Sequence, residues 1–212
     1  MRRRSILPDI RKLGRQVFTT RELASISGRS LSTTTQSLNN LTRLGVIIKI
    51  YRGVWAQGTE TVSPYAVMPY LFSTHRAYVS FISALHLHGI IEQIPQVTTL
   101  ASTAHGRIIR TKVGVFYAHR IASSFFAGFE WYKGNGSFLI AEPEKALVDS
   151  LYISAYKKKR FGSFPELHFS SKFSFKKAEL WVDKIPSKRV RVYAGTKLAK
   201  IKSAYRKTIK WV

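Results

Sequence analysis

The sequence predicts an α+β fold, and three observations lead to this prediction. Leucines at helical spacing run through the first sixty residues and are followed by two short strand-like runs. Runs rich in Val, Thr and aromatic residues occupy the middle of the chain, and strongly basic segments with helical spacing end it. We therefore expect a helical unit with a hairpin over residues 1–59, and a mixed α/β unit with basic helices at its end over residues 60–212.

The 212-residue chain is strongly basic, because 35 Lys and Arg residues stand against 11 Asp and Glu and give a net charge of +24. The net charge is +8 over residues 1–60, +4 over residues 61–140 and +12 over residues 141–212. Two basic regions thus flank a nearly balanced middle. This distribution predicts two anion-binding surfaces, and nucleic acid is the commonest polyanionic partner.

The composition also excludes several kinds of site. The sequence has no cysteine, so disulfides, thiolate zinc sites and cysteine nucleophiles are ruled out. The apolar stretch after the basic start is broken at once by Pro8 and Asp9, which argues against a signal peptide. No window approaches the roughly 20 apolar residues of a membrane span. We expect a cytoplasmic protein with no membrane partner.

Apolar residues at helical spacing predict three helices in the first unit, which cover residues 6–13, the stretch between Thr19 and Gly28, and residues 31–44. Thr19 and Glu22 have the spacing of a capping box at the start of the second helix. Gly28 is a favourable stop for that helix, and Ser30 is placed to cap the third.

The third predicted helix has two contrasting faces. Four leucines at helical spacing are expected to face a core: Leu31, Leu38, Leu41 and Leu44. The opposite face carries side chains that can reach base edges and phosphates: Ser32, Thr33, Gln36, Asn40 and Arg43. No acidic residue occurs between Arg29 and Glu60. This absence matters because a carboxylate on this face would be repelled by the DNA backbone.

A hairpin is predicted after this helix, with strands over Val46–Tyr51 and Val54–Ala56 joined at Arg52-Gly53. This order of elements is typical of a winged helix-turn-helix, in which the third helix enters the major groove and the hairpin lies on the backbone. A generic three-helix unit with a packing hairpin is the alternative. The predicted DNA-binding residues are Arg29, Ser32, Thr33, Gln36, Asn40, Arg43, Lys49 and Arg52.

A linker is expected in Gly58–Pro69, with the boundary between the two units near Glu60, and a buried helix is predicted from His75 to His88. Strands are predicted in PQVTTLAST and RTKVGVFYAHRI, and two more around the turn Gly134-Asn135-Gly136. The remaining predicted helices cover Pro143–Tyr156 and the segments FKKAELWVDKI and TKLAKIKSAYRKTIKWV.

One acidic cluster could carry chemistry, since acid-plus-lysine sets bind the metal in many nucleases. It consists of Glu142, Glu144, Lys145 and Asp149. Adjacent helical residues point apart, however, and carboxylates at a helix start are also explained by the helix dipole. No histidine pair has ligand spacing, and no glycine-rich phosphate loop or nucleophile elbow occurs. We therefore predict no metal, no cofactor and no catalytic residue, and we expect a protein that is not an enzyme.

The most basic part of the chain lies after Tyr156. Charge runs are usually solvated loops, but this many cations repel one another without a counter-charge, which favours binding to an anion or an acidic protein. The candidate anion-binding residues are Lys157, Lys158, Lys159, Arg160, Lys172, Lys176, Lys177, Lys188, Arg189 and Arg191.

The chain resembles the AbiEi antitoxins, the transcription-regulating partners of type IV toxin–antitoxin operons. The resemblance rests on FTTRELASISGRSLSTTTQSLNNLTRLGVIIKIYRGVWA, YVSFISALHLHGIIEQIPQVTTLAST and FLIAEPEKALVDSLY. It implies an N-terminal domain that binds operator repeats in double-stranded DNA, as a monomer or weak dimer, and represses its own operon. It also implies a C-terminal domain whose basic surface neutralises a nucleotidyltransferase-like toxin without requiring a stable complex.

Two other functions are open at the level of the sequence. One is a metal-dependent nucleic-acid-processing enzyme that uses the acidic cluster. The other is a transcriptional regulator that has no toxin partner.

Overall fold

The computed structural model describes residues 5–58, 62–72, 77–133, 138–156 and 164–209. The chain divides into two units, which are Met1–Ser73 with Arg110–Gly114, and Thr74–Ile109 with Val115–Val212. Within the described ranges, no helix combines the length and the apolar character that a membrane crossing requires.

The first unit follows the predicted order of helices and hairpin, with an extra strand before the second helix. Its helices are α1 (Leu7–Lys12), α2 (Thr20–Ser27), α3 (Leu31–Arg43) and α4 (Pro64–Leu71). Its strands are β1 (Val17–Thr19), β2 (Ile47–Tyr51) and β3 (Val54–Gln57). Strand β3 lies between β1 and β2 and is antiparallel to both. Most of α4 falls in the stretch Gly58–Pro69 that was expected to be a linker, and α4 contacts β1.

The predicted helix caps of the first unit are confirmed. The Thr19 hydroxyl accepts a hydrogen bond from Glu22 N–H, and the Glu22 carboxylate accepts one from Thr19 N–H. Gly28 ends α2 with a left-handed φ of 64°, where other residues are strained. The Ser30 hydroxyl accepts from Thr33 N–H and caps α3. These caps fix where α2 ends and α3 begins.

The core of the first unit is apolar and gathers side chains from every part of residues 6–55. Its buried members are Ile6, Ile10, Phe18, Leu23, Leu38, Leu41, Ile47 and Trp55. The Trp55 indole N–H donates to the buried Thr20 hydroxyl at 2.7 Å, which ties β3 to the start of α2. The helices and the hairpin are therefore held in one packed unit.

The prediction that four leucines of α3 face this core is wrong for two of them. Leu38 and Leu41 are buried, whereas Leu31 and Leu44 are 52% and 67% exposed. The buried stripe runs instead through Thr34, Leu38 and Leu41, at offsets of four and three. Leu31 lies in the first turn and Leu44 is the C-terminal cap residue, so both flank the stripe at the helix ends.

The second unit contains a mixed sheet and a group of helices. The strands are β4 (Ala77–Val79), β5 (Thr98–Ser102), β6 (Arg107–Thr111), β7 (Gly114–Arg120), β8 (Phe129–Trp131) and β9 (Leu139–Ala141). Their order among the described residues is β6-β7-β5-β4-β9-β8. The helices are α5 (Phe81–Leu87), α6 (Pro143–Ser154), α7 (Phe175–Asp183) and α8 (Lys188–Ile209), with a 3-10 turn at Ser123–Phe125. The end of β6, the turn after it and the first residue of β7, which together are Arg110–Gly114, belong to the first unit.

Two predictions for this unit need correction. The helix expected from His75 to His88 is present only over Phe81–Leu87, because residues 77–79 form a strand instead. His75 itself lies outside the described residues. A fully buried strand between two neighbours has the same apolar run as a buried helix, and β4 lies between β5 and β9. The segment RTKVGVFYAHRI forms two strands, since it holds the end of β6 and the whole of β7.

The predicted strands after Phe129 and the helix after Glu142 are confirmed as β8, β9 and α6; the turn Gly134-Asn135-Gly136 lies outside the described residues. Helix α6 is buried on all sides from Glu144 to Ser154. It contacts α5, α7 and α8. This central position sets the environment of the acidic cluster.

Candidate nucleic-acid interface

Helix α3 presents a polar face to solvent. Successive residues of an α-helix turn by about 100°, so positions 32, 36, 40 and 43 lie within roughly 80° of one another. All four side chains are exposed, on the side of α3 opposite the buried stripe. Within the described part of the chain they make no hydrogen bond or ion pair. We call Ser32, Gln36, Asn40 and Arg43 the α3 polar face.

Two further residues predicted for this interface are already engaged within the protein. The half-buried Thr33 accepts a hydrogen bond from the Ser30 hydroxyl at 3.0 Å, next to the cap of α3. Arg29 is also half-buried and interacts with other groups of the chain. The backbone N–H and the hydroxyl of Thr33 both bind the Ser30 hydroxyl and so stabilise the start of α3. The α3 polar face is thus narrower than the sequence predicted.

The hairpin of β2 and β3 places two cations at its tip and along its edge. Arg52 and Gly53 form the two-residue turn, and Gly53 has a φ of 73°, a conformation that favours glycine. The Gly53 carbonyl accepts from Thr20 N–H at 2.9 Å, which fixes the tip against α2. Arg52 and Lys49 are both exposed, and the Lys49 ammonium lies 5.2 Å from the centre of the Trp55 ring. Both predicted hairpin cations are therefore available to a ligand.

The structure adds two cations that sequence reasoning missed. In the first unit, Lys112 N–H donates to the Ile50 carbonyl of β2 at 3.2 Å. Arg110 and Lys112 are both exposed. Some sixty positions separate them from the hairpin along the chain, so no local pattern indicates that they lie beside β2. The sequence indicates these cations only weakly, in that both flank Thr111 in a segment predicted to form strands.

The carboxylates that the structure describes in the first unit already have a cation beside them. In its described residues these are Asp9, which is buried 4.0 Å from Lys12, and Glu22, which binds Arg15 at 2.6 Å. Burial alone would raise the pKa of Glu22, but hydrogen bonds from Thr19 and the charge of Arg15 lower it overall. Glu22 is therefore a charged capping residue at neutral pH. Each of these two carboxylates thus has a cation beside it.

The basic residues predicted in the second unit fall into three groups. Lys172, Lys176, Lys188 and Arg189 are exposed and have no partner among the described residues. Two others support the fold: Lys177 bridges Glu142 and Glu144 at 3.1 and 3.6 Å, and the Arg191 side chain donates to the Ile185 carbonyl. Lys157, Lys158, Lys159 and Arg160 lie outside the described residues.

Burial would lower the pKa of Lys177, but the hydrogen bonds and charges of Glu142 and Glu144 raise it overall. The Glu144 carboxylate also accepts from Ser174 N–H at 2.9 Å, so this part of the acidic cluster joins the start of α6 to the start of α7. Its partners are protein groups, and its role in the structure is to connect two helices.

The other half of the acidic cluster lies in the interior. Lys145 and Asp149 are fully buried and form an ion pair one helical turn apart. Asp149 also accepts from Tyr78 and Ser80 hydroxyls at 2.9 and 2.7 Å. Among the described residues, no group of three or more His, Cys, Asp or Glu side chains is arranged to hold a metal.

No known protein family matches this sequence, and no curated protein matches it significantly. The first unit itself is therefore what indicates a nucleic-acid interface. The indications are the exposed α3 polar face, the cations of the hairpin, the segment beside β2 that holds Arg110 and Lys112, and the carboxylates that already have a cation beside them.

Proposed function

We propose that the chain is a DNA-binding regulator, that its first unit is a winged helix-turn-helix, and that α3 is the recognition helix. The observation that carries this proposal is the α3 polar face, whose exposed side chains have donors and acceptors that no other described residue uses. Amide side chains such as those of Gln36 and Asn40 suit adenine edges, and Arg43 suits guanine or phosphate. Lys49 and Arg52 of the hairpin supply phosphate contacts on the flank.

We further propose that the regulator is a non-enzymatic antitoxin of a type IV system. It represses its own operon through the first unit and counters a nucleotidyltransferase-like toxin through the second. The sequence resemblance supports this proposal, as do the four exposed cations Lys172, Lys176, Lys188 and Arg189. A regulator without a toxin is the competing function. An enzyme is disfavoured because Lys145 and Asp149 are fully buried and bound to protein groups.

The DNA-binding proposal is tested by gel shift at physiological salt with the chain's own promoter and a scrambled duplex. Gln36→Glu places a carboxylate on the α3 polar face and should weaken promoter binding about tenfold or more, given the 1–3 kcal/mol of a specific base contact. The matched control is Gln93→Glu, which adds the same charge at an exposed position of the second unit. Equal affinity of the wild-type protein for both duplexes would refute operator recognition.

The antitoxin function is tested by co-expression with an adjacent nucleotidyltransferase-like gene, scored as growth. We expect the wild-type chain to restore growth and a Lys172→Glu/Lys176→Glu/Lys188→Glu/Arg189→Glu variant to lose this effect while still binding the promoter. Gln36→Glu should show the opposite pattern. Failure of the wild-type chain to restore growth, with promoter binding intact, would favour the regulator without a toxin.

A further inference from the structure

A cavity of about 620 Å³ opens in the second unit between α6, α8 and the extended segment 164–169. Its size is in the range of small-molecule sites, which commonly measure roughly 300–1,000 Å³. It is remote in sequence from the α3 polar face and belongs to the other unit. Neither the acidic cluster nor the four exposed cations Lys172, Lys176, Lys188 and Arg189 line it. The cavity therefore calls for a separate explanation.

The walls of this cavity are fixed by specific contacts. The backbone N–H of His168 donates to the Ile90 carbonyl at 2.8 Å, which anchors the extended segment. The Tyr205 hydroxyl of α8 donates to the Phe169 carbonyl at 3.0 Å, and the two rings meet edge to face with centroids 5.1 Å apart. The extended wall is thus held at two points although it has no regular secondary structure.

The lining combines flat apolar surfaces with positive charge. Three of the lining residues are aromatic: Phe164, Phe169 and Tyr205. Lys197 and Lys200 project from neighbouring positions on one side of α8, three residues apart. Neither lysine has a carboxylate partner among the described residues, and the Lys197 ammonium lies 5.9 Å from the centre of the Tyr193 ring.

The opposing charge at this site is small. Glu166 is the carboxylate that lines the cavity, and it is exposed, so water screens it. Lys197 is half-buried, and the field of its ammonium is less screened inside the cavity than at the surface. The balance favours an anionic ligand, and the rings favour a planar one.

We propose that this cavity binds a small aromatic carboxylate, with its ring against Phe164, Phe169 and Tyr205 and its carboxylate at Lys197 and Lys200. A planar ring can use the faces and edges of the three aromatic residues, whereas a flexible chain would lose conformational freedom on binding. The carboxylate of the ligand supplies a negative charge to two lysines that lack a carboxylate partner among the described residues.

The test uses the full-length chain and 2-naphthoate as the probe, titrated by calorimetry, with 2-naphthamide as its neutral analogue. We expect saturable binding of one 2-naphthoate per chain and at least tenfold weaker binding of 2-naphthamide. Lys197→Gln/Lys200→Gln should remove that difference. Glu166→Gln should tighten 2-naphthoate binding, because it removes the nearby negative charge.

The matched control is Arg120→Gln/Lys133→Gln, which removes two exposed charges of the second unit that do not line the cavity. This variant should bind 2-naphthoate like the wild-type chain. Equal losses in both double variants would indicate diffuse attraction to a basic protein and would overturn the proposal. So would equal binding of the acid and the amide, or the absence of saturable binding.

Discussion

The amino group of Lys145 lies in the interior of the second unit, surrounded by groups that account for its burial. It donates to the Tyr78 hydroxyl at 3.1 Å, pairs with Asp149, and sits 3.8 Å from the centre of the Phe125 ring. Burial lowers the pKa of Lys145, and the Asp149 carboxylate opposes that shift. Burial and the same carboxylate raise the pKa of Tyr78 well above its ordinary value. The two residues are thus coupled through Asp149.

Removal of one charge from this interior pair should destabilise the second unit strongly. Asp149→Asn leaves the Lys145 ammonium without a counter-charge, and breaking a buried pair in this way costs about 3–5 kcal/mol. The free energy of unfolding in urea, followed by circular dichroism, measures the loss. If Asp149→Asn unfolds at the same urea concentration as the wild-type chain, the pair is not a structural element.

A second variant separates the effect of charge on stability from the effect of packing at this pair. Lys145→Met/Asp149→Asn removes both charges and keeps an oxygen that can accept from Tyr78 and Ser80. Apolar replacement of buried ion pairs is often close to neutral, so this variant should recover more than half of the stability lost in Asp149→Asn. If the stability lost in the double variant equals the sum of the losses in Lys145→Met and in Asp149→Asn, the two side chains act independently.

Two serines at the start of α3 lie in different environments. The Ser30 hydroxyl caps the helix, whereas the Ser32 hydroxyl faces solvent on the α3 polar face. Ser30→Ala should therefore lower the free energy of unfolding of the first unit by about 1 kcal/mol. Ser32→Ala should leave stability unchanged or slightly raised, since alanine favours helix, and should weaken promoter binding. Thermal unfolding and gel shifts of both variants check this prediction, and equal stability losses would contradict it.

The ends and caps of these elements could be predicted because their signals are local. Thr19, Glu22, Gly28 and Ser30 act on groups within four residues along the chain, and the structure confirms each. The strand β4 could not be distinguished from a helix, because its burial comes from β5 and β9, which are distant in sequence. Local periodicity predicts which faces are apolar, and tertiary neighbours decide which element forms.

The candidate interface was predictable to the extent that it lies on one helix face. Ser32, Gln36, Asn40 and Arg43 share that face because of helix geometry alone. The engagement of Thr33 and Arg29 was not visible in the sequence, since it depends on side-chain contacts. Lys112 was missed for a related reason, because only the folded backbone brings it to Ile50.

At the scale of the whole molecule, the net charge of +24 makes salt dependence the most direct test of the DNA binding that we propose, and of which cations would contact phosphate. Each phosphate that a cation neutralises releases condensed counterions, so the slope of log K against log salt changes by about 0.9 for each phosphate that a variant no longer binds. In the full-length chain, Lys49→Gln and Lys112→Gln should each reduce the slope by about one, equally for promoter and scrambled DNA.

Gln36→Ala should change the preference for the promoter and leave this slope unaltered, because Gln36 carries no charge and we propose that it contacts bases. Lys133→Gln removes an exposed lysine of the second unit from a loose pair with Glu130 and serves as the charge-matched control. Fluorescence anisotropy over a series of salt concentrations measures all four variants. A Lys112→Gln slope equal to that of Lys133→Gln would remove the segment beside β2 from the interface, and would confine phosphate binding in the first unit to α3 and the hairpin.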